Sequence, residues 1–460
     1  MTPLARWRAV QVWWRALVQV VADLRLAIGL LLGIALASVA GTVIEQGESP
    51  AFYQTHYPAH PALFGFLTWK VILALGLDHV YQTWWYLSLL MLFGASLLAC
   101  TSLRQWPALR VAQKWHYYQR PEQIARLSLS QTCPPIPIET VSQTLRQKGY
   151  WVVTAGDKLY ARRGLVGKVG PIVVHASLVV VLLGGMVSSL TGFLVQEMVP
   201  SGQDFALQHV VRAGALVRHL PNLRGRVHRF WIEYTPSGDI DQFYTDLGLV
   251  DEQGNEVTRQ TIYVNHPLRW HGLTFYQTSW GVHSVRLRYN NSPVFDVPVT
   301  AFTAENGRRL WGTWLPLQPD LRVGVSLVIP DLQGLFLLYD QQGQLLATGR
   351  VGTPVQLGQI TLQVTDIIGS TGLQVKSDPG VPILYAGFAG LMLGVLMSYV
   401  SYSQIWGLWA DDRLYIGGKT NRAQVTFARE FQDLVQGLVN PPASPPSSVK
   451  PSAAEPRPSV

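Results

Sequence analysis

Residues 169–196, VGPIVVHASLVVVLLGGMVSSLTGFLVQ, run for 28 positions without a charged side chain and hold one histidine, His175. About 20 apolar residues cross ~30 Å of hydrocarbon as a helix, so this run spans a bilayer with length to spare for tilt. An ionisable side chain inside such a run marks a functional-site candidate. Counted from Lys168, His175 lies seven residues in, about 10 Å of helix rise, nearer one face of the membrane than its midplane.

Composition agrees with a membrane protein. Of 460 residues, 48% are hydrophobic and 14% charged, where a soluble enzyme would carry about a quarter. Two cysteines, Cys100 and Cys133, occur without any CxxC, which argues against a structural disulfide or a dithiol oxidoreductase. The net charge of +8 is local: residues 104–168 hold eleven Lys and Arg against three acids. It therefore reads as a topology signal, and nucleic acid is not an expected partner.

The first 25 residues are basic and aromatic, with Arg6, Arg8, Arg15 and Arg25 against Asp23. Residues 26–44 form the first expected span and carry a Gly29xxxGly33 spacing that lets membrane helices approach closely. The competing reading is a cleaved leader ending at the ASVA of Ala37 to Ala40, but the apolar run is longer than a usual leader core. Residues 45–79 read as an outer loop of interfacial backbone. Residues 80–103 form the second span, opened by Trp84, Trp85 and Tyr86, as expected at a membrane interface. In the basic loop 104–168, Ile138, Val141 and Leu145 recur at helical spacing ahead of two strand-like runs, which predicts a small helix plus hairpin module.

Residues 197–378 follow the His175 span with fourteen basic and sixteen acidic side chains. Strand-like runs such as VHRFWIEY, QFYTDLGLV and EVTRQTIYV alternate with turn signals, which predicts an antiparallel, sandwich-like all-β domain. Trp231, Trp270, Trp280, Trp311 and Trp314 suggest a large aromatic core and a protein-binding surface. Residues 379–410 read as the fourth span, with Gly390xxxGly394 as a second close-packing site, and 411–460 as a tail whose Pro and Ser end cannot bury a core. The fold class is thus four transmembrane helices plus a large β domain.

No Walker motif, HExxH, GxSxG or nucleotide fingerprint appears, and no catalytic residue is assigned. The outer histidines His209, His219, His228, His266, His271 and His283 lack ligand-like spacing and read as surface residues. His266 and His271 sit in YVNHPLRWHGLTFYQTSWG, which reads as an aromatic-rich turn. WGLWADD at Trp406 to Asp412 is similar to a haem-handling WGxxWxWD signature but shorter and without its last Trp. It reads as an aromatic belt at the end of the fourth span.

GTVIEQGESPAFY, YQTWWYLSLLMLFGASLLACTSLRQWPAL, GPIVVHASLVVVLLGG and IYVNHPLRWHGLTFYQTSWG together resemble the ResB or CcsB family of cytochrome c biogenesis proteins (System II), over nearly the whole chain up to the tail. The long outer loop and the second-span sequence look most like the cyanobacterial and plastid type. The resemblance implies a thylakoid membrane, with the plasma membrane as the alternative. It implies a CcsA-like partner, with which the chain carries haem b across the bilayer and attaches it to apocytochrome c. It also implies that His175, the residue matching the family's intramembrane histidine, is an axial haem ligand, with no other metal ligand in the chain. Haem b would be held transiently and shared with the partner, since one histidine supplies one of two axial positions. The attachment chemistry needs reduced thiols, which implies a thioredoxin-like reductant. On this reading the chain is an accessory subunit of a haem lyase complex. The alternative from another class is a non-catalytic scaffold or receptor binding an extracytoplasmic protein, with His175 hydrogen-bonding between helices.

Lys and Arg number four before the first span, one in the first loop, eleven in the second and six after the last. The positive-inside rule then puts both termini and the basic loop on the cytoplasmic side and the β domain on the other. Reporter fusions near Gln131 and near Gln253 should report opposite sides of the membrane. Finding both on one side breaks this topology.

Overall fold

A computed structural model describes residues 13–440 except 15, 63, 252, 306 and 319–322. The basic first 12 residues and the Pro- and Ser-rich end of the tail lie outside the described residues. Among those described, four helices are long and apolar enough to cross a membrane: Leu24–Val43, Trp84–Gln113, Val166–Thr191 and Val381–Tyr399. The chain divides into two compact units, one of residues up to 35, 88–182 and 383 onward, the other of residues 36–87 and 183–382.

In the first unit, helix contacts follow the small residues. A Cβ added at Gly387 would lie 2.7 Å from a Val181 methyl, and one at Gly394 would lie 2.8 Å from the Val174 backbone nitrogen. The third and fourth spans therefore touch backbone to backbone, as small residues allow where lipid supplies no hydrophobic drive. Gly29 and Gly33 make no such contact: among the described residues nothing lies within 4 Å of a Cβ at either. The first span packs instead through Leu30 against Phe93 and Leu97 of the second.

This unit also contains an antiparallel five-stranded sheet, ordered Leu129–Cys133, Arg413–Thr420, Ser403–Ala410, Lys158–Arg163, Trp151–Ala155. Helices Ile138–Gln147 and Gln424–Val439 cover one face, where Val141, Leu145, Leu159, Leu414, Ile416, Phe427 and Phe431 are buried. The fourth span thus ends at Tyr399, and 403–410 is a central strand rather than the end of a helix. The cause is burial on both faces. Trp406 packs between Tyr118 and Tyr160, with ring centroids 5.1 and 5.6 Å away, and donates to the His116 carbonyl at 3.0 Å, while Ile405 joins the helix-covered core. Asp411 and Asp412, both at positive φ (50° and 55°), close the hairpin to Arg413. The helix and hairpin of the basic loop are consequently half of a domain whose other half comes after the last span.

In the second unit, residues 45–83 are folded rather than bare interfacial backbone. Helices Pro50–His56 and Trp69–Leu75 are capped by Ser49 and Thr68, whose hydroxyls accept from Phe52 N–H and Val71 N–H, and they bury Ile44, Tyr53, Tyr57 and Ile72. The Tyr57 hydroxyl donates to the Glu45 carboxylate at 2.6 Å, which, with burial, pushes its own pKa up to about 12.

The β domain grows out of the spans. Strand Phe193–Pro200 follows the third span directly, strand Ile360–Ser377 leads into the fourth, and the two pair from Phe193↔Ser377 onward. Ile360–Ser377 also pairs with Leu273–Tyr289, so these 18- and 17-residue strands form the spine of a seven-stranded sheet. Its part nearest the spans packs on a four-stranded sheet, with Val195, Val227, Leu247, Ile262, Phe275 and Val375 buried between them. Its far part packs on a five-stranded sheet around Val285, Leu287, Leu327, Phe336, Leu338 and Val364. Register shifts at Gln277/Ser279 and Val282/Ser284 fall where the spine passes from one core to the other. The expected aromatic core is not what forms. Of the five tryptophans only Trp311 is buried, at 4% exposure, and Trp314 is 43% exposed. Alternating Val, Leu and Ile fill the narrow space between twisted sheets better than indole rings, which pack at the margins.

Gly394→Leu should separate the third and fourth spans at a cost of about 1–3 kcal/mol, typical of overpacking, whereas Gly29→Leu should be neutral. Thermal unfolding of the detergent-solubilised chain checks this, and equal effects of the two variants would contradict it. The buried Glu197 carboxylate accepts from the backbone N–H groups of Gln208 and His209 at 2.6 and 2.8 Å, and pairs with His209 Nδ1 at 2.6 Å. Burial alone would raise its pKa, but the hydrogen bonds outweigh burial and hold it below the ordinary value of 4.5. Its contribution is therefore fully present above that value and lost as pH falls through the lower folded one. Acid unfolding of Glu197→Gln should show a shallower pH dependence below about pH 4.5 than the parent chain.

Candidate functional site

His175 sits on the third span, ten residues into helix Val166–Thr191, about 14 Å of rise from its start. Its partners come from the second span. That helix is regular over Trp84–Cys100, widens into one π turn over Thr101–Gln105, and resumes over Trp106–Gln113. Within the turn the Trp106 N–H reaches back five residues to the Thr101 carbonyl. Pro107 supplies a local cause, because without an N–H it cannot continue the regular ladder to the Leu103 carbonyl. Widened turns of this kind often occur at functional sites.

The turn presents Thr101 and Gln105 to the imidazole. Thr101 Oγ1 lies 3.1 Å from His175 Nδ1, and the Gln105 side-chain nitrogen lies 3.3 Å from Nδ1 and 3.2 Å from Nε2. The Thr101 hydroxyl spends its one proton on the Leu97 carbonyl, 2.8 Å away. Towards His175 it can only accept, so the proton between them belongs to Nδ1. Nε2 then carries the lone pair, and of the two ring nitrogens near the Gln105 amide it is the one able to accept that N–H. The other end of that amide, Gln105 Oε1, is buried without a hydrogen-bond partner among the described residues. Leaving such an acceptor unpaired costs about 1–3 kcal/mol.

The arrangement is one imidazole, half-buried in an apolar helix, whose Nδ1 faces the Thr101 hydroxyl and whose Nε2 faces the Gln105 amide. Chemically it can donate one nitrogen lone pair to a soft or borderline metal centre. Thr101 and Gln105 were not expected from the sequence. Their only signal was a polar TSLRQ followed by WP inside an otherwise apolar helix, and nothing linear says that it faces His175.

The histidines of the β domain go elsewhere. His209 pairs with Glu197 and His228 with Glu256. His266 stacks on Tyr263 at 4.7 Å, and His271 occupies a tight turn at φ 45° beside Trp270, 4.3 Å away. His219 is exposed in an irregular stretch, and His283 lies within strand Leu273–Tyr289. Among the described residues no three His, Cys, Asp or Glu side chains converge as a metal site would require. Cys100 adjoins the π turn half-buried, while Cys133 is buried in the five-stranded sheet with its thiol pKa raised by burial.

Comparison with known proteins places these features in a family. The model of the ResB-like family matches residues 24–311 and 330–432. The cytochrome c biogenesis protein CcsB of Nostoc sp. (strain PCC 7120) is 54% identical over 437 residues, covering 93% of this chain and 95% of that protein. The protein of the same name from Thermosynechococcus vestitus is 55% identical over 428 residues, covering 93% and 97%. These matches run through the four spans, the π turn, His175 and the β domain, and the chain belongs to the ResB-like family.

Proposed function

We propose that this chain is a membrane subunit of cytochrome c biogenesis that works with a CcsA-like protein to carry haem b across the bilayer and attach it to apocytochrome c. Relatives named for cytochrome c biogenesis along nearly their whole length support the process. The observation that carries the haem role is His175, an imidazole inside a membrane helix with Nδ1 facing a hydroxyl and Nε2 facing an amide. That donor fits haem, whose iron takes neutral imidazole nitrogen as an axial ligand. When bound, haem would supply the iron centre and the vinyl double bonds across which the apocytochrome thiols add.

This chain's own part is to hold and orient. His175 Nε2 would supply one nitrogen to the haem iron from within a run of 28 residues without a charged side chain. The partner would supply the other iron ligand. The thiols of Cys100 and Cys133 lie on different elements, so a thioredoxin-like protein keeps the apocytochrome cysteines reduced. The β domain offers a protein-sized surface on the lumenal side of a thylakoid membrane, with both termini stromal. The cyanobacterial relatives and the Lys and Arg distribution support that placement.

A second reading has a specific observation behind it: the bonds to Thr101 and Gln105 are those of a histidine that only ties two helices together. Such a bond is worth ~0.6–2 kcal/mol in a membrane, and the two readings part on one substitution. His175→Ala should remain inserted and lose little thermal stability. Its Soret absorbance after purification with the partner should fall several-fold, and c-type cytochromes should fail to mature. Exogenous imidazole should restore part of the haem, since it can occupy a vacated axial position. Wild-type haem and wild-type mature cytochrome in that strain would leave His175 a helix-packing residue.

A further inference from the structure

We infer that Thr101 and Gln105 are positioning residues for His175: Thr101 sets the tautomer that turns the Nε2 lone pair outward, and Gln105 caps that lone pair until iron displaces it. The inference rests on the haem reading of His175. Its tautomer half can also be tested on chain that has never met haem.

Three observations carry it. The first is donor and acceptor bookkeeping around the ring. With its proton committed to the Leu97 carbonyl at 2.8 Å, Thr101 Oγ1 faces Nδ1 at 3.1 Å purely as an acceptor. A neutral imidazole carries one proton, so fixing it on Nδ1 leaves Nε2 unprotonated. Metal-bound histidines are held in the same way, by a hydrogen bond from the nitrogen opposite the metal.

The second is the π turn. Regular α-helix does not need five-residue ring closure, yet Trp106 N–H closes on Thr101 here, and the two residues that reach His175 are the first and last of the turn, Thr101 and Gln105. The widened turn and Pro107 are the local features that bring both side chains to one imidazole.

The third is the state of the Gln105 amide. Its nitrogen lies 3.3 Å from Nδ1 and 3.2 Å from Nε2, and with Nδ1 protonated only Nε2 can accept from it, while its Oε1 is buried without a partner among the described residues. Half of the amide is satisfied by the histidine, and the other half opposes the same placement. A group held in this way protects a buried lone pair and also leaves it readily. A leucine there could not bond Nε2 and a well-paired glutamine would not yield it, so the orphan oxygen favours a cap over a permanent helix–helix bond.

The test uses full-length chain in detergent, labelled with ¹⁵N in its histidine rings, with His175→Gln to identify the His175 signals. In haem-free parent chain His175 should show a protonated Nδ1 and an unprotonated Nε2. Thr101→Val should mix the tautomers, and Thr101→Ser should restore the single one. Titration with haemin, read at the Soret band, should then move in opposite directions. Thr101→Val should weaken binding by about 10-fold or more, the range seen when a ligand's supporting bond is lost, and Gln105→Leu should tighten it several-fold by uncovering Nε2. A wild-type His175 protonated on Nε2, or a tautomer unmoved by Thr101→Val, overturns the Thr101 assignment. Equal weakening by Thr101→Val and Gln105→Leu overturns the cap and leaves both as packing residues. Haemin binding unchanged in His175→Ala overturns the haem reading and the cap with it, while the nitrogen signals still decide the role of Thr101.

Discussion

The second unit depends on the place where two membrane helices become two paired strands. Inside hydrocarbon every backbone N–H and C=O must find its partner within the helix. Once the chain leaves lipid that constraint lifts, and the third span converts to strand across a single glycine. Gly192 ends the helix with its N–H on the Ser188 carbonyl, and Phe193 opens the strand opposite Ser377. On the returning side the Ser188 hydroxyl bonds Asp378, which also pairs with Lys376 at 3.1 Å, and Gly380 lies against the Gly184 carbonyl where a Cβ would not fit. Because the spans enter the domain side by side, the sheet has its register from the first pair onward. The spine, both cores and the flanking sheets are built on that register.

The His175 site follows from the opposite tendency, a helix that departs from regularity while still inside the apolar segment. A π turn breaks the even ladder, and a buried acceptor on Gln105 goes unpaired. Natural chains keep such irregularities where function requires them, and the regular packing around the site holds them in place. Here that packing is the close contact of Gly387, Gly390 and Gly394 with Val181, Ser177 and Val174, which fixes the face that the third span turns towards its neighbours. The polar bonds then need only set the ring, not hold the helices.

The five-stranded sheet of the first unit shows how far apart in sequence a fold can draw its parts. Strands 151–163 come before the third span and strands 403–420 after the fourth, with the β domain between them in the chain. Tyr402 ties them to the end of the second-span helix by donating to the Ala112 carbonyl at 2.9 Å. A tail reading of residues 411–440 fails for this reason: Phe427, Phe431 and Leu434 fill a core whose other wall is Val141, Leu145 and Leu159.

Four apolar runs, a low charge content, the lone His175 and the alternation of residues 197–378 were determined by the sequence alone, because hydrocarbon thickness and the two-residue period of a strand act on contiguous residues. Their limits were not. The 403–410 run is as apolar as a helix end, and only burial on both sides by distant elements makes it a strand. Glycine spacing likewise could not distinguish Gly29 and Gly33, which meet nothing within 4 Å among the described residues, from Gly390 and Gly394, which meet the third span. The spacing says that close approach is possible, and the partner helix decides whether it happens. His175 was visible as a polar residue in the wrong solvent. What the tertiary structure decided is which groups face the ring, because Thr101 and Gln105 lie 74 and 70 residues away in the chain, and no local pattern carries a bond across that distance.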